Sequence, residues 1–461
     1  MSISVPPNLD NKRGWQNNET GRAYTMAPQA GYFVDVYAGS DDFSGESVDP
    51  VASDGPTPTA TSSETAKSTK GAQAEGTVVI ARNADKGAVV WSSTPLKKLS
   101  ILRSPILRVV NTHDGEFVVL VRFGVVPGTG LVRARRLTVV DTFSIASTGG
   151  AVAPTRHLER ETPGPFSAVG VSIGDGGVLF LGDRVEDASN DVIEAGPATL
   201  WDPTTGASST VPAGDKRRSD VCGPDEVNSC TVRDVPVSTI SAGVLTAEIP
   251  ARPNARFGLA GGWNSTRIGP DGRTNGTLLG TLPGALLAAW PANDKHTIYA
   301  VHDPASGAVL VSGECTNADG GDADPGALQR SFAASPNGRY IVAGSLAIDL
   351  SARTLGCLAG DADRRGAALT IVGDNGLAYG SLLADRPPPP ENDETPGEVV
   401  PIQEPAMVTV ATRKIDLLRA GTRIPERLTA SGAGLFTLSV QTEEENSSAV
   451  IAMCPAAAPP P

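Results

Sequence analysis

The feature that most constrains the fold is a series of short β-branched runs separated by turn residues. Between residues 76 and 453 the chain contains, among others, the runs TVVIA, FVVLVRF, GVLFLG, TIYAV, YIVAGS and LFTLSV. Gly, Asp, Asn and Pro stand between the runs, and no amphipathic helical period of useful length interrupts them. The pattern predicts an all-β fold made of many short strands.

Tight turns recur between neighbouring runs. They occur in NTHDGEFVVL, SIGDGGVLFL, ASPNGRYIVAG, VGDNGLAYG and TASGAGLFTL. Asp-Gly and Asn-Gly supply the positive-φ residues that a two-residue hairpin needs. We therefore predict hairpins at these places, with Gly115, Gly176, Gly338 and Gly376 in the turns.

A second turn type also repeats, in which an apolar strand ends in Asp and a turn follows. It occurs around Asp141, Asp202, Asp303 and Asp349. An Asp at this place bonds backbone amides two residues further on. Successive copies are separated by about one or two units of 40–60 residues, which is the length of a propeller blade of four short strands.

The repeats predict a β-propeller of seven blades, with six as the alternative count. Six blades fall at about 106–150, 168–210, 239–275, 278–314, 330–360 and 367–418. Residues 429–453 together with 77–93 are predicted to form the seventh, which would join the two chain ends and remove exposed sheet edges. A pair of β-sandwiches is the alternative fold, although it does not explain one recurring unit with two turns.

Two segments carry a resemblance to known families. SPNGRYIVAG, followed by an apolar strand that ends in Asp, resembles the repeats of WD-repeat, YVTN and quinoprotein-type β-propellers. TLWDPTTGA, with its Trp201-Asp202 pair, resembles them equally. The resemblance implies a propeller over most of residues 76–453 and identifies no single family.

Residues 1–75 are predicted to be a polar, extended arm and Ser/Thr/Pro-rich linker. The stretch 51–76 consists almost wholly of small and hydroxyl residues and buries too little apolar area to offset the entropy of ordering. Within the arm, GYFVDVYAG at 31–39 is interpreted as an isolated strand or docking segment. Two further segments are predicted to lie outside the strand pattern, a Pro-rich insertion at 386–405 and a Pro/Ala tail at 454–461.

Net charge and hydropathy exclude some classes of binding partner. A net charge of −13 argues against binding to nucleic acid, which needs a basic face. No apolar run approaches the ~20 residues of a membrane-spanning helix. The N-terminus has no apolar core typical of a secretory signal. A protein partner or assembly neighbour, contacted through the arm and the blade loops, is the expectation.

The chain has five cysteines, and two pairs are candidates for disulfides. Cys222 and Cys230 flank the turn-rich loop CGPDEVNSC, which closes readily as a bridge, and Cys315 with Cys357 is a second candidate pair. The alternative is that all five are free thiols, including Cys454 in the tail. Disulfides would place the protein outside the cell or at the cell surface.

The acidic loop ECTNADGGDADPG at 314–326 is a candidate calcium site. Calcium prefers several oxygen ligands on a flexible, Gly-containing loop. The alternative is a solvated acidic loop without a cation. The candidate ligands are Glu314, Asn317, Asp319, Asp322 and Asp324.

Nothing in the sequence identifies a catalytic residue. Ser172 is central in GVSIG, yet a turn and a strand follow it where a nucleophile elbow needs a helix. The four histidines show no metal-ligand spacing and are interpreted as surface or turn residues: His113, His157, His296 and His302.

The expected function is a non-enzymatic binding or structural module. A surface-exposed, secreted or virion-type component of a larger assembly would fit this interpretation. The alternative is a propeller enzyme, such as a glycoside or lactone hydrolase, with its site at the mouth of the central channel. Glycosidic chemistry would require two carboxylates ~5–10 Å apart, and the sequence places no such pair.

Overall fold

The structure is a computed structural model that describes most of the chain between Ile3 and Ala456. The described residues are 3–17, 23–37, 76–97, 99–126, 135–162, 167–186, 193–212, 214, 216–218, 231–240, 242–249, 256–274, 276–282, 284–293, 296–316, 332–360, 365–382, 404–441 and 446–456. They form short strands, one helix of a single turn and two turns of 3-10 helix. The all-β prediction is confirmed.

The elements follow one another along the chain as a nearly unbroken series of strands. They are β1 (Leu9–Asn17), β2 (Ala23–Ala27), β3 (Tyr32–Tyr37), β4 (Val78–Asn83), β5 (Val89–Ser93), β6 (Ser100–Thr112), β7 (Gly115–Val126), β8 (Arg135–Ser144), β9 (Gly149–Val152), β10 (Arg156–Glu161), β11 (Ser167–Ile173), the 3-10 turn Asp175–Gly177, β12 (Leu179–Glu186), β13 (Ile193–Trp201), β14 (Ser208–Val211), β15 (Lys216–Arg218), β16 (Thr231–Ile240), β17 (Gly243–Ile249), β18 (Phe257–Leu259), α1 (Ser265–Ile268), the 3-10 turn Pro270–Gly272, β19 (Thr277–Leu282), β20 (Ala285–Asn293), β21 (His296–His302), β22 (Val309–Thr316), β23 (Ala333–Ala334), β24 (Tyr340–Ala343), β25 (Leu346–Asp349), β26 (Thr354–Cys357), β27 (Ala367–Val372), β28 (Leu377–Leu382), β29 (Pro405–Thr409), β30 (Lys414–Leu417), β31 (Arg427–Leu428), β32 (Gly434–Gln441) and β33 (Asn446–Pro455).

Two compact units divide the chain. Unit 1 comprises Met1–Thr162 and Pro425–Pro461. Its described strands form three sheets, with the orders β2-β3-β4-β5-β9, β10-β8-β7-β6 and β1-β33-β32-β31. The third sheet joins the two ends of the chain, because Leu9 of β1 pairs with Pro455 of β33. The pairing is antiparallel except between β5 and β9, which run parallel.

Unit 2 comprises Pro163–Ile424. Its described strands form five sheets of four consecutive strands: β11–β14, β15–β18, β19–β22, β23–β26 and β27–β30. Sheets of four strands that follow one another along the chain are the blades of a β-propeller. The predicted propeller is confirmed, with eight sheets within the described residues of the two units.

The predicted count of seven blades is wrong because the N-terminal strands were assigned to an arm. Residues 429–453 and 77–93 lie in two different sheets, and β1, β2 and β3 complete them. Phe33 and Val34 of β3 are fully buried, so this part of the predicted arm supplies core residues. Residues 38–75 lie outside the described part of the chain.

The other two predicted segments overlap the sheets at their ends. Most of the Pro-rich insertion lies outside the described residues, and Pro405 at its end begins β29. Cys454 and Pro455 of the predicted tail belong to β33. The strand pattern therefore extends further than predicted at both places.

Cores lie between neighbouring sheets, so many strands are buried on both faces. In β8, seven consecutive residues are buried. In unit 1, Trp91 of β5 stacks on Phe143 of β8 with ring centroids 5.7 Å apart. In unit 2, Leu287 and Val301 pack with Ile341 and Ile348 in one cluster. Strands buried on both faces explain why the sequence shows continuous apolar runs and little alternation.

The predicted turns are largely confirmed. Gly115, Gly176, Gly338 and Gly376 all have positive φ. The carboxylates of Asp202 and Asp303 accept hydrogen bonds from the amides of Thr204 and Ser306, each at 2.8 Å. Asp141 differs, because it lies inside β8 and is buried.

Candidate functional site

The predicted calcium loop lies almost entirely outside the described residues. Glu314 is described: its carboxylate is half exposed and lies 3.6 Å from Nδ1 of His296. Asn317, Asp319, Asp322 and Asp324 fall in the undescribed segment 317–331. Among the described residues no group of three acidic, His or Cys side chains could hold a metal ion. The calcium site remains a prediction.

Three of the five cysteines lie within the described residues, and the two of the first candidate disulfide do not. Cys222 and Cys230 lie outside the described residues, so their disulfide remains a prediction. Cys315 and Cys357 are free thiols, the first buried and the second half-buried. Cys454 is also free and buried, on β33 of unit 1.

The residues considered for catalysis have structural partners. Ser172 lies in β11, and its hydroxyl donates to the carbonyl of Val237 at 3.1 Å. His113 is exposed in a hairpin turn. The fully buried ring of His302 lies with Nδ1 2.8 Å from the carbonyl of Gly307. His113 lies in a turn as predicted, whereas His302 is buried at the end of β21 and is not a surface residue.

The sequence missed a buried charge network around Asp141 in unit 1. Nη2 of Arg122 donates to Oδ2 of Asp141 at 2.7 Å, and Nδ1 of His157 lies 2.8 Å from Oδ1. Nη1 of Arg122 donates to the carbonyl of Lys97 at 2.6 Å. His157 pairs directly with Asp141 across strands β10 and β8. The network links strands β7, β8 and β10. The sequence does not predict it, because the contacts depend on the register between these strands.

A second buried carboxylate in unit 1, Asp35 of β3, is held differently. Its Oδ2 accepts a hydrogen bond of 2.6 Å from the Tyr37 hydroxyl and a longer one of 3.4 Å from Asn17. Nε of Arg82 lies 4.0 Å away. Burial raises the pKa of Asp35 to about 6, against the lowering effects of Tyr37 and Arg82.

Four turns of unit 2 form one connected surface, which we call the turn surface. Oδ1 of Asp374 accepts a hydrogen bond of 2.9 Å from the amide of Asn337, which joins the first turn to the third. The amide of Leu350 donates to the carbonyl of Arg339, and that of Val410 donates to Gly376. The four turns are 335–339, 350–353, 373–376 and 410–413.

Charge on the turn surface is partly neutralised. The guanidinium of Arg339 donates to both carboxylate oxygens of Asp349, at 3.2 and 2.9 Å. Arg339 holds the pKa of Asp349 below its usual value against the opposing effect of burial, and the amide of Ala352 adds to the lowering. This pair leaves Arg353 and Arg413 as further exposed cations of the surface.

Arg353 and Arg413 occupy a backbone conformation that favours glycine. Their φ angles are 52° and 60°. In the corresponding turns after Asp202 and Asp303, Gly206 and Gly307 hold this place with φ of 78° and 72°. A left-handed conformation costs a residue with a Cβ roughly 1 kcal/mol. Two blades therefore carry arginine where their neighbours have the residue best suited to the turn.

No family model matches the chain. No curated protein matches it either. Among solved structures, the β-propeller domain of Cps50 (Swd1) from Myceliophteria thermophila is similar with a TM-score of 0.37 and 11% identity, covering 82% of this chain and 97% of that domain. An uncharacterised protein of Listeria monocytogenes EGD-e has a TM-score of 0.35 and 7% identity, with 91% and 98% covered.

The sheets and their order define the class of the molecule. The chain is a divergent β-propeller protein. Identities of 11% and 7% carry no information on function. Within the described residues, no helix is long and apolar enough to cross a membrane.

Proposed function

We propose that the protein is a non-enzymatic binding module whose turn surface contacts a protein partner. The observation that carries this proposal is the pair Arg353 and Arg413, both exposed and both in left-handed backbone. Residues kept in a strained conformation cluster at functional sites. Loops carry recognition because the scaffold fixes their ends.

The rigidity of the turns supports recognition. Hydrogen bonds between neighbouring turns, such as that from Asn337 to Asp374, hold the tips before any partner arrives. A preorganised surface loses less entropy on binding than a mobile one. Each arginine therefore projects from a fixed position.

The chemistry of the turn surface suggests an acidic partner segment. Arginine presents a planar fork of donors that matches a carboxylate. Among the described residues, the guanidinium of Arg353 has no carboxylate partner, whereas Arg339 is paired with Asp349. We therefore propose that Asp or Glu side chains of the partner pair with Arg353 and Arg413.

The test replaces the two arginines by the residue that their backbone favours. Arg353→Gly with Arg413→Gly removes both charges and relieves strain, so the free energy of unfolding should stay equal or rise by about 1 kcal/mol per site. Proteins captured from the native source should be identified with the wild-type chain, and their Kd then measured. We expect the double variant to bind at least about tenfold more weakly, because two charge-assisted contacts are lost.

The matched control is Arg423→Ala, which removes an exposed arginine of unit 2 outside the turn surface. It should bind the partner as the wild-type chain does. Equal affinity of the double glycine variant would exclude the turn surface as the contact. Turnover of a glycoside or lactone by the full chain would instead support the enzyme alternative.

The location outside the cell is part of the same proposal. Its support is the loop between Cys222 and Cys230, whose length suits a disulfide. Peptide mapping of the native protein under non-reducing conditions tests it. A linked pair would support an oxidising compartment, and two free thiols would argue against one.

A further inference from the structure

Two neighbouring blades of unit 2 bring Cys315 and Cys357 face to face. Strand β22 is the outer strand of one sheet and β26 the outer strand of the next, and the two strands are in contact. A Cβ placed on Gly313 would lie 2.9 Å from Cδ2 of Leu355. Residues two apart in a strand point to the same side. Cys315 lies two residues after Gly313, and Cys357 lies two residues after Leu355. The two cysteines therefore form the next facing pair along the two strands.

The two cysteines share one environment. Cys357 packs against the apolar cluster that contains Cys315, and a hydrogen bond between the two thiols is the largest influence on the pKa of each. Cys315 is only 3% exposed and packs in the apolar cluster that contains Tyr299 and Ile348, whereas Cys357 is half-buried. Cys357 is therefore the more accessible thiol of the pair.

The surroundings favour a thiolate on the more open residue. The amides of Ala359 and Thr316 donate hydrogen bonds to the sulfur of Cys357, and the charge of Arg413 adds to their effect. With the hydrogen bond from Cys315 as the largest cause, the pKa of Cys357 falls to about 7 despite its burial. The same hydrogen bond, followed by burial, raises the pKa of Cys315.

Arg413 is held in place near this pair by its own contact. Its Nη2 donates to the carbonyl of Leu355 at 3.2 Å. Its side chain covers Gly356, where an added Cβ would lie 2.5 Å from Nε. The strained turn at Arg413 therefore also carries a cation to the edge of β26.

We propose that Cys315 and Cys357 form a redox-active dithiol, in which Cys357 is the attacking thiolate and Cys315 the resolving thiol. The oxidant is a low-molecular-weight disulfide. Closure would link the outer strands of two consecutive blades, and an added thiol would reopen the bond. The contact of β22 with β26 and the shared apolar cluster bring the two side chains together, and closure requires an S–S length of about 2.05 Å.

The exchange proceeds in two balanced steps. The Cys357 thiolate attacks one sulfur of the small disulfide, whose S–S bond breaks, giving a mixed disulfide and one released thiolate. The Cys315 thiol passes its proton to that thiolate and then attacks the Cys357 sulfur. The bond between Cys357 and the small thiol breaks and releases the second small thiolate. This thiolate takes up from water the proton that Cys357 lost when it ionised. The two protein thiols lose two electrons in all, and the small disulfide is reduced to two thiols.

The experiment exposes the full chain to oxidised glutathione and maps its cysteines by alkylation and mass spectrometry. We expect a linked peptide pair containing Cys315 and Cys357, with a mass lower by two hydrogen atoms, which excess reduced thiol reverses. Cys315→Ala should stop at a glutathione adduct on Cys357. Cys357→Ala should leave Cys315 unmodified, because the remaining thiol is buried. Thermal unfolding of both variants checks that they are folded.

A second measurement follows the rate of alkylation. Arg413→Gly suits the left-handed turn, keeps the fold and removes the cation. The rate of alkylation of Cys357 should therefore fall by up to about threefold. Cys454, buried on β33 with a pKa raised by burial, is the internal slow-reacting reference. The proposal is overturned if no linked pair forms at excess oxidised glutathione in folded wild-type protein. It is also overturned if Cys315 takes up glutathione as fast as Cys357.

Discussion

Asp35 and Asp141 are both buried aspartates of unit 1, and their partners differ in kind. Asp141 contacts a guanidinium at 2.7 Å and an imidazole at 2.8 Å, so each of its oxygens has a partner that carries or can carry positive charge. Asp35 has a phenol at 2.6 Å as its nearest partner, and its guanidinium lies at 4.0 Å. Among the described residues, no other side chain or amide donates a hydrogen bond to Oδ1 of Asp35.

The difference shows what determines the cost of a buried carboxylate. A close cation offsets the loss of hydration, whereas a neutral hydroxyl offsets only part of it. The raised pKa of Asp35, about 6 and caused mainly by burial, reflects that shortfall. The ion pair of Asp141 therefore contributes to the stability of unit 1, whereas the folded chain is most stable when Asp35 is protonated.

The largest effect is expected from Asp141→Asn. The Asn amide carries no charge, so buried Arg122 loses its counterion. The amide also keeps only one acceptor atom, whereas the carboxylate has two. Breaking a buried pair in this way costs about 3–5 kcal/mol. Urea unfolding followed by tryptophan fluorescence measures it, since Trp91 packs against Phe143 of the same strand as Asp141.

The matched control for this prediction removes both charges. Arg122→Met combined with Asp141→Leu should recover most of the lost free energy, because no uncompensated charge remains. If Asp141→Asn is as stable as the wild-type chain, the close ion pair does not stabilise unit 1.

The second effect concerns Asp35→Asn and depends on pH. In the folded state the carboxyl keeps its proton up to about pH 6, whereas the unfolded chain releases it near 3.8. In the wild-type chain the protonated Asp35 carboxyl therefore stabilises the fold in full below the unfolded pKa, and this stabilisation is lost as pH rises through about 6. Between about pH 4 and pH 8 the variant should gain about 3 kcal/mol relative to the wild-type chain.

Unfolding curves of both proteins at several pH values test this prediction. The relevant quantity is the difference between variant and wild type, because other groups contribute equally to both. Tyr37→Phe is the matched variant: without the hydroxyl that favours the charged form, the fall in stability of the chain should move to higher pH. A pH-independent difference between Asp35→Asn and the wild-type chain would contradict the account of Asp35.

The smallest effect is expected from His157→Ala. The imidazole is 51% exposed, so solvent screens its contact with Asp141, and Arg122 still pairs with the carboxylate. The free energy of unfolding should fall by less than about 1 kcal/mol. His113→Ala, at a side chain that is 95% exposed, is the control and should change nothing measurable. A loss as large as that of Asp141→Asn would show that His157 is essential to the network.

Local signals in the sequence predicted the turns well. Asp202 and Asp303 bond the amides two or three residues on, and these contacts need no distant partner. Asp141 follows an apolar run of the same appearance, yet its partners come from β7 and β10. The sequence cannot separate the two cases, because the distinction depends on register between strands.

The blade count shows the same limit at a larger scale. The sequence predicts an isolated strand or docking segment at GYFVDVYAG, whereas β3 pairs with β2 and β4 in a sheet. In another sheet, the pairing of Leu9 with Pro455 joins opposite ends of the chain, and no local signal indicates it. The candidate sites depend on such placement as well. The sequence predicts Cys315 and Cys357 as one of two candidate pairs, and the contact of β22 with β26 places them side by side.

The sequence by itself determined the all-β class, the repeating unit and most turns of this protein. These features follow from φ preferences, short-range hydrogen bonds and runs of β-branched residues, which act within a few positions. Tertiary structure alone decided the number of blades and the partners of Asp35 and Asp141. Those depend on which strands lie side by side, and that choice is set by burial summed over segments far apart in the chain.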